Sequence, residues 1–360
     1  MLGRALLAIL LLLALGAAPA GAAKRPHVPP GWLGMIADGP LSDGAVNMQN
    51  EFRRMAGSRV GTVRFAIYWN AAQPDGPAAT SFADSDRYVA AAARNRLAIL
   101  PVVLRAPAWA RLHPELTNSP PSADGVEAYA AFLTQLIARY GPAGSFWAEH
   151  PQLPRRPIRQ WQVWNEPDGV RDWSDQPGLP AYVGLLRRAH AAIKQADPGA
   201  KVVAAGLVGR SWEHLDALYK LGAAPWFDVA AIHPFTEQVH NVLRIIRRAR
   251  TVMKRHGDGR TPMVLTELSW PSARGKTRSG YGFEMTERGQ AQRVRASLLQ
   301  IAARRRALRV ASVYWSSWVS YDRSRDYSFD YAGLRKVSGG KVVSKPAYYA
   351  FRRVARELRR

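Results

Sequence analysis

The sequence contains no cysteine. That excludes disulfides and thiolate metal sites, and an exported chain without disulfides fits a bacterial envelope better than a eukaryotic secretory route. There is no Asn-x-Ser/Thr acceptor either, because Asn118-Ser119 is followed by Pro120. Acidic residues are few, 27 against 51 basic ones, which gives a net charge of +24. Lysine is scarcer still: nine of the 51 basic residues, the other 42 being arginine. Such a charge attracts polyanions, whether nucleic acid, anionic lipid or acidic polysaccharide. It is also what an arginine-biased composition gives. The pairs Arg187-Arg188, Arg247-Arg248 and Arg352-Arg353 and the triplet 304–306 fall on expected helix faces, where a solvated outer surface accounts for them. No recognisable nucleic-acid module accompanies the charge, so a nucleic-acid partner is not expected.

Long apolar runs are absent beyond the start of the chain. Residues 5–18 are apolar apart from Gly16, with Arg4 before them and Ala20-Gly21-Ala22 after them. This is the pattern of an export signal cleaved near Ala23. It is shorter than the roughly 20 residues of a spanning helix, so a membrane enters only if the signal stays uncleaved. The expected organisation is a signal peptide over 1–23, a linker over 24–30 and one domain over 31–360, lying outside the cytoplasm.

What fills the chain is alternation. Short Val/Ile-rich runs at 31–36, 62–68, 98–104, 159–164, 201–207, 228–233, 263–268 and 310–315 read as strands buried on both faces. Amphipathic stretches follow each, at 46–55, 84–96, 125–140, 179–196, 212–221, 239–256, 287–306 and 346–358. Eight strand–helix pairs are the number that closes a (β/α)8 barrel. The competing doubly wound sheet would show a Gly-rich phosphate turn after its first strand, and none follows Gly31-Trp32-Leu33-Gly34.

In such a barrel the C-terminal strand ends carry function. The fourth run ends Trp164-Asn165-Glu166-Pro167-Asp168 and the seventh ends Thr266-Glu267-Leu268-Ser269-Trp270. Each sets a glutamate at one mouth. Two carboxylates in unequal environments are what glycosidic cleavage needs: one protonated to serve the leaving oxygen, one ionised to attack the anomeric carbon or activate water. Trp69, Trp109, Trp173, Trp270, Trp315 and Trp318 fall at or just after strand ends, as aromatic platforms for sugar C–H faces would. Trp315 is the first choice for the platform under the cleaved sugar. Tyr281 and the loop 274–282 are expected to overhang the site.

These residues resemble glycoside hydrolases of clan A, and within it most nearly family 39, the xylosidase, iduronidase and bacterial exopolysaccharide hydrolase group. The likeness runs over about 30–355 and is densest from Trp164 to Asp168, with Trp173, Tyr182 and Lys194-Gln195-Ala196-Asp197-Pro198. It implies that Glu166 is the acid/base, Glu267 the nucleophile and Asn165 a ligand of the sugar 2-hydroxyl. It also implies that Arg64 keeps the nucleophile ionised. Clan members often hold the nucleophile with an aromatic hydroxyl near the end of strand six; Phe235 cannot donate a hydrogen bond, so His233 or another group takes that part. The expected partner is a poly- or oligosaccharide, acidic if the charge is functional. No cofactor, metal or second subunit is expected. A transglycosidase and a non-catalytic glycan-binding barrel are the alternatives.

Overall fold

The computed structural model describes residues 26–44 and 46–359. The export signal expected over 1–23 lies outside these residues. Among those described, no helix is long and apolar enough to cross a membrane.

Eight parallel strands form the core: β1 (Leu33–Ile36), β2 (Thr62–Tyr68), β3 (Ala98–Leu104), β4 (Gln160–Val163), β5 (Lys201–Val203), β6 (Ala230–Ile232), β7 (Met263–Leu268) and β8 (Val310–Trp315). Their order, β5-β4-β3-β2-β1-β8-β7-β6, leaves β5 and β6 at the seam. Parallel bridges Val203–Val229 and Leu207–Ile232 join them there and close the barrel. The fold is therefore the (β/α)8 barrel that the alternation implies. A helix follows each strand, from Met48–Gly57 to Pro346–Leu358. Side-chain caps start several of them: Asn47 accepts from the Asn50 N–H, Ser122 from that of Gly125 and Thr286 from that of Gly289.

Buried side chains divide into two layers. Ile36, Leu100, Val203, Val229, Ala231, Val264 and Tyr314 form a small separate cluster, while the larger core lies between strands and helices. The Tyr314 ring crosses to Gly34, where an added Cβ would lie 2.4 Å from the ring, so glycine alone fits. The Tyr314 and Thr62 hydroxyls are 3.1 Å apart. This apolar filling seals the barrel and confines polar chemistry to the strand ends.

Two features depart from the sequence reading. Strands β4, β5 and β6 stop earlier than their apolar runs, at Val163, Val203 and Ile232. For β4 the reason is local: Trp164 takes φ +63°, which no extended strand can hold. Between β8 and the last helix lies an unforeseen three-stranded sheet of β9 (Val319–Ser320), β10 (Arg335–Ser338) and β11 (Lys341–Ser344). Its antiparallel β10–β11 pair turns at Gly339-Gly340.

Candidate active site

The site is built outward from one buried cation. Arg64, on β2, is 2% exposed. Its Nε donates to Gln162 Oε1 at 2.7 Å, one Nη to Glu267 Oε1 at 3.0 Å and the other to Asn165 Oδ1 at 2.8 Å. Arginine can only donate, so the oxygen of the Asn165 amide must face it. The Asn165 Nδ2 then donates to Asp172 Oδ2 at 2.7 Å, and Arg105 closes the chain on Asp172 Oδ1 at 2.6 Å. A continuous chain thus runs from β2 through the ends of β4 and β7 into the loop after β4. It fixes Glu267 and Asn165 before any ligand arrives.

Glu166 is held differently. Both it and Trp164 have left-handed backbones, φ +43° and +63°, a strain that glycine would avoid. Neighbours hold the strained turn. The Trp164 N–H donates to Val103 O, the Trp164 indole to Asp172 O and the Glu166 N–H to Gly206 O. Glu166 Oε1 lies 2.7 Å from His233 Nδ1, and His233 Nε2 lies 2.9 Å from Thr266 Oγ1. The His233 ring is buried and 3.9 Å from Glu267, beyond hydrogen-bond reach. The part offered to it by sequence, holding the nucleophile or touching sugar, is therefore corrected: His233 braces the other glutamate.

Gly206 sets that brace. A Cβ there would fall 2.0 Å from His233 Nε2. The ring is enclosed and cannot swing aside, so Gly206→Ala is expected to lower stability by about 1–3 kcal/mol, the usual cost of overpacking. Denaturant unfolding checks this. A variant as stable as the parent would mean the ring has room to move.

Glu166 and Glu267 approach closely. One carboxylate oxygen of each and a His233 ring nitrogen all lie within 4.8 Å of one another. The two side chains are 17% and 19% exposed, enough to be touched from the mouth. Burial is the main force pushing the Glu166 carboxyl above its usual range. The charges of Glu267 and Asp172 add to this, while His233 opposes it. The same trio has the composition of a metal-ligand set, but the Arg64 guanidinium already supplies a cation at Glu267 and both His233 nitrogens are engaged.

Several members of the site were not singled out in the sequence. Asp38, two residues past β1, accepts the Ala66 N–H at 2.9 Å. Burial, with a contribution from Glu267 and against the Ala66 bond and Arg64, pushes its carboxyl to about 6. Asp38, with burial, pushes the adjacent Tyr68 hydroxyl to about 12. Gln162, Asp172, Arg105 and Thr266 are the others. A search for polar residues on the inward-facing strand positions would have found Gln162 and Thr266. Asp172 and Asp38 carry no such signal.

The tryptophans need correction. Trp69, Trp173, Trp270 and Trp315 are at most 1% exposed, and so is Trp318. They pack among themselves and other rings, Trp69 against Tyr129 and Phe132, Trp173 against Trp164 and Tyr182, Trp270 against Trp315. Wide rings fill the space around the strand ends, so they offer no face to a ligand in this state. Trp109 alone among them stands at the rim, 37% exposed, its indole donating to Gln73 O. The open aromatic surface comes from the later loops. Exposed Tyr281 and part-buried Phe235, Phe329 and Tyr327 stack in a wall around the buried Phe283, with Phe235 edge-on to His233. Loop 274–282 is tied to this wall by Glu284, which accepts the N–H groups of Tyr281 and Gly282, and by an Arg278–Asp326 pair at 3.2 Å.

Fold and site together define a (β/α)8 barrel with a paired-carboxylate centre at its C-terminal mouth. No family profile and no curated protein matches the sequence significantly. Solved structures do. A family 39 glycoside hydrolase from Bacteroides cellulosilyticus aligns with 91% of this chain at 17% identity and a TM-score of 0.67. A monomeric beta-xylosidase from Caulobacter crescentus aligns with 91% of it, also at 17% identity, TM-score 0.64. An alpha-L-arabinofuranosidase of family 51 from Bifidobacterium longum aligns at 11% identity, TM-score 0.61. The aligned part spans 63%, 68% and 76% of those chains respectively. At these identities the likeness establishes the shared barrel.

Proposed function

We propose that this chain is a retaining glycoside hydrolase, exported from the cytoplasm, that cleaves O-glycosidic bonds of a poly- or oligosaccharide. The observation that carries this reading is the approach of Glu166 and Glu267, one carboxylate oxygen of each lying within 4.8 Å of the other. Retaining enzymes hold their carboxyl groups about 5–5.5 Å apart, inverting ones about 6.5–9.5 Å, because the latter must seat a water between. The likeness to a family 39 glycoside hydrolase and a xylosidase supports the reaction class.

In the first step the Glu267 carboxylate attacks the anomeric carbon, and Glu166 gives its proton to the departing oxygen. A glycosyl ester on Glu267 remains. Forming that ester removes the Glu267 charge, one of the causes that raise Glu166, so the newly ionised Glu166 becomes a competent base. It takes a proton from water as the water oxygen attacks the same carbon, and Glu267 departs as carboxylate. Asn165, its oxygen held by Arg64, keeps one N–H for the sugar 2-hydroxyl. Asp38 and Tyr68 are placed to take further hydroxyls. A 2-deoxy-2-fluoro glycoside with a good leaving group should trap the ester, and mass spectrometry of peptides should find the label on Glu267. Label on another carboxylate would remove Glu267 from this part.

A pH prediction follows from the His233 brace. His233 lowers the Glu166 pKa against burial, and loss of the Glu166 proton sets the alkaline limb of activity. His233→Ala should therefore move the alkaline limb of kcat/KM upward in pH, together with a loss of rate. A limb that stays in place or moves down would contradict the assignment of Glu166 as the acid.

A further inference from the structure

Arg171 is a cation at the mouth that the mechanism leaves unused, and its place in the Glu166 loop sets it apart from Arg323, which lies on Tyr321 in the loop after β8. It lies five residues past Glu166, in the same loop, and is exposed. The loop backbone is pinned there from the β3 side: Arg105 donates to Arg171 O, and Asn118 donates to Val170 O at 2.7 Å. Its guanidinium carbon lies 4.1 Å from the centre of the Tyr327 ring, in the loop after β8. Arg171, Tyr327 and Glu166 are near enough to interact electrostatically, as are Tyr327 and Glu267. Yet among the described residues the guanidinium forms no ion pair and no hydrogen bond, Asp172 and Glu166 acting on it only through their charge, whereas Arg64 and Arg105 nearby are paired with Glu267 and Asp172.

A guanidinium lying on an aromatic face keeps its N–H edge free. That planar fork matches a carboxylate in bidentate fashion, and the ring beneath limits its rotamers, so little freedom is lost on binding. Around it stand the acids Asp38, Glu166, Glu267 and Asp172 and the cations Arg64 and Arg105, which Glu267 and Asp172 already hold. Against that background a preorganised, unpaired arginine selects for an anion at one defined place beside the scissile bond.

We propose that Arg171, seated on Tyr327, is a specificity residue that binds the carboxylate of an acidic sugar next to the cleaved bond, so that the substrate is a uronate-containing glycan. This rests on the glycoside hydrolase reading and narrows it to a substrate class. It also gives one part of the +24 net charge a definite task, while the arginines on outer helices remain solvated surface.

The test is equilibrium binding by calorimetry. Oligomers of galacturonate, glucuronate and mannuronate would be compared with galactose, glucose and mannose oligomers of the same length and linkage. At least one acidic member should bind about tenfold tighter or more than its neutral counterpart, the range of a charge-assisted hydrogen bond. That ratio should collapse toward one in Arg171→Gln, be partly kept in Arg171→Lys, and be unchanged in Arg247→Gln on an outer helix. A parent protein with no acidic preference, or a preference that survives Arg171→Gln, would overturn the proposal. Because binding is read without turnover, an acidic preference in a protein that hydrolyses nothing would sink the hydrolase reading instead.

Discussion

Glu166→Ala should separate substrates by their leaving groups. Glycosides with poor leaving groups need the proton, and their kcat/KM should fall by about 10²–10⁴, the usual contribution of general acid–base catalysis. Aryl glycosides with acidic phenols need no proton in the first step and should lose less than about tenfold in kcat/KM. Their kcat should fall much further, because no base activates water in the second step, and a burst of phenol should precede the slow phase. Azide needs no base, so it should restore turnover and leave a glycosyl azide of the configuration set by two displacements. Glu267→Ala should behave otherwise, losing on the order of 10⁴ or more on every substrate, since it removes the bond-forming group itself. Equal losses on good and poor leaving groups in Glu166→Ala would assign the proton to another residue.

The second large effect is expected from Arg64→Met. This change keeps the apolar stem and removes three donors that serve Gln162, Glu267 and Asn165. Glu267 would then face Glu166 with no cation in contact, and the Asn165 amide would be free to turn. Breaking a buried ion pair by deleting one partner costs about 3–5 kcal/mol of stability. Loss of a preorganised electrostatic contact at the reacting centre costs roughly 10²–10³ in kcat. Both should be seen together, by denaturant unfolding and by kinetics on the surviving folded protein. Arg64→Lys should rescue little, because one ammonium cannot reach three acceptors in a plane. A variant within tenfold of the parent would show that the chain from Arg64 to Asp172 is only scaffold.

The barrel was legible in the sequence because burial on both faces forces near-continuous Val/Ile runs, as in Ala98–Leu104 and Met263–Leu268. The places of Glu166 and Glu267 were legible because each ends such a run. The surrounding motif was legible as pattern and not as purpose. Tyr182 joins two strand ends, its hydroxyl donating to Val163 O and accepting the Ala205 N–H, and Lys194 pairs with Asp228 at 2.8 Å. Both serve the scaffold. What could not be read was anything set by the distance between loops. The sequence gives no sign that His233 turns to Glu166, since that depends on the bare Cα of Gly206. Nor does it reveal that Asp172 receives Asn165, or that Arg171 meets Tyr327 across the mouth. The tryptophans misled for a physical reason: a ring beside a strand end can face the mouth or the helix layer, and spacing alone does not choose. The sheet of β9 to β11 was missed because β10 and β11 are mostly polar and, apart from Arg335, at least partly exposed, so no apolar run marks them.

The claim on which the rest depends is double displacement through Glu267. Proton nuclear magnetic resonance of a hydrolysis followed from its first minutes tests it most directly, before mutarotation mixes the anomers. The account predicts that the first-formed sugar carries the anomeric configuration of the bond that was cut. A first product of inverted configuration would contradict it, and would turn Glu267 from nucleophile into the base of a single displacement.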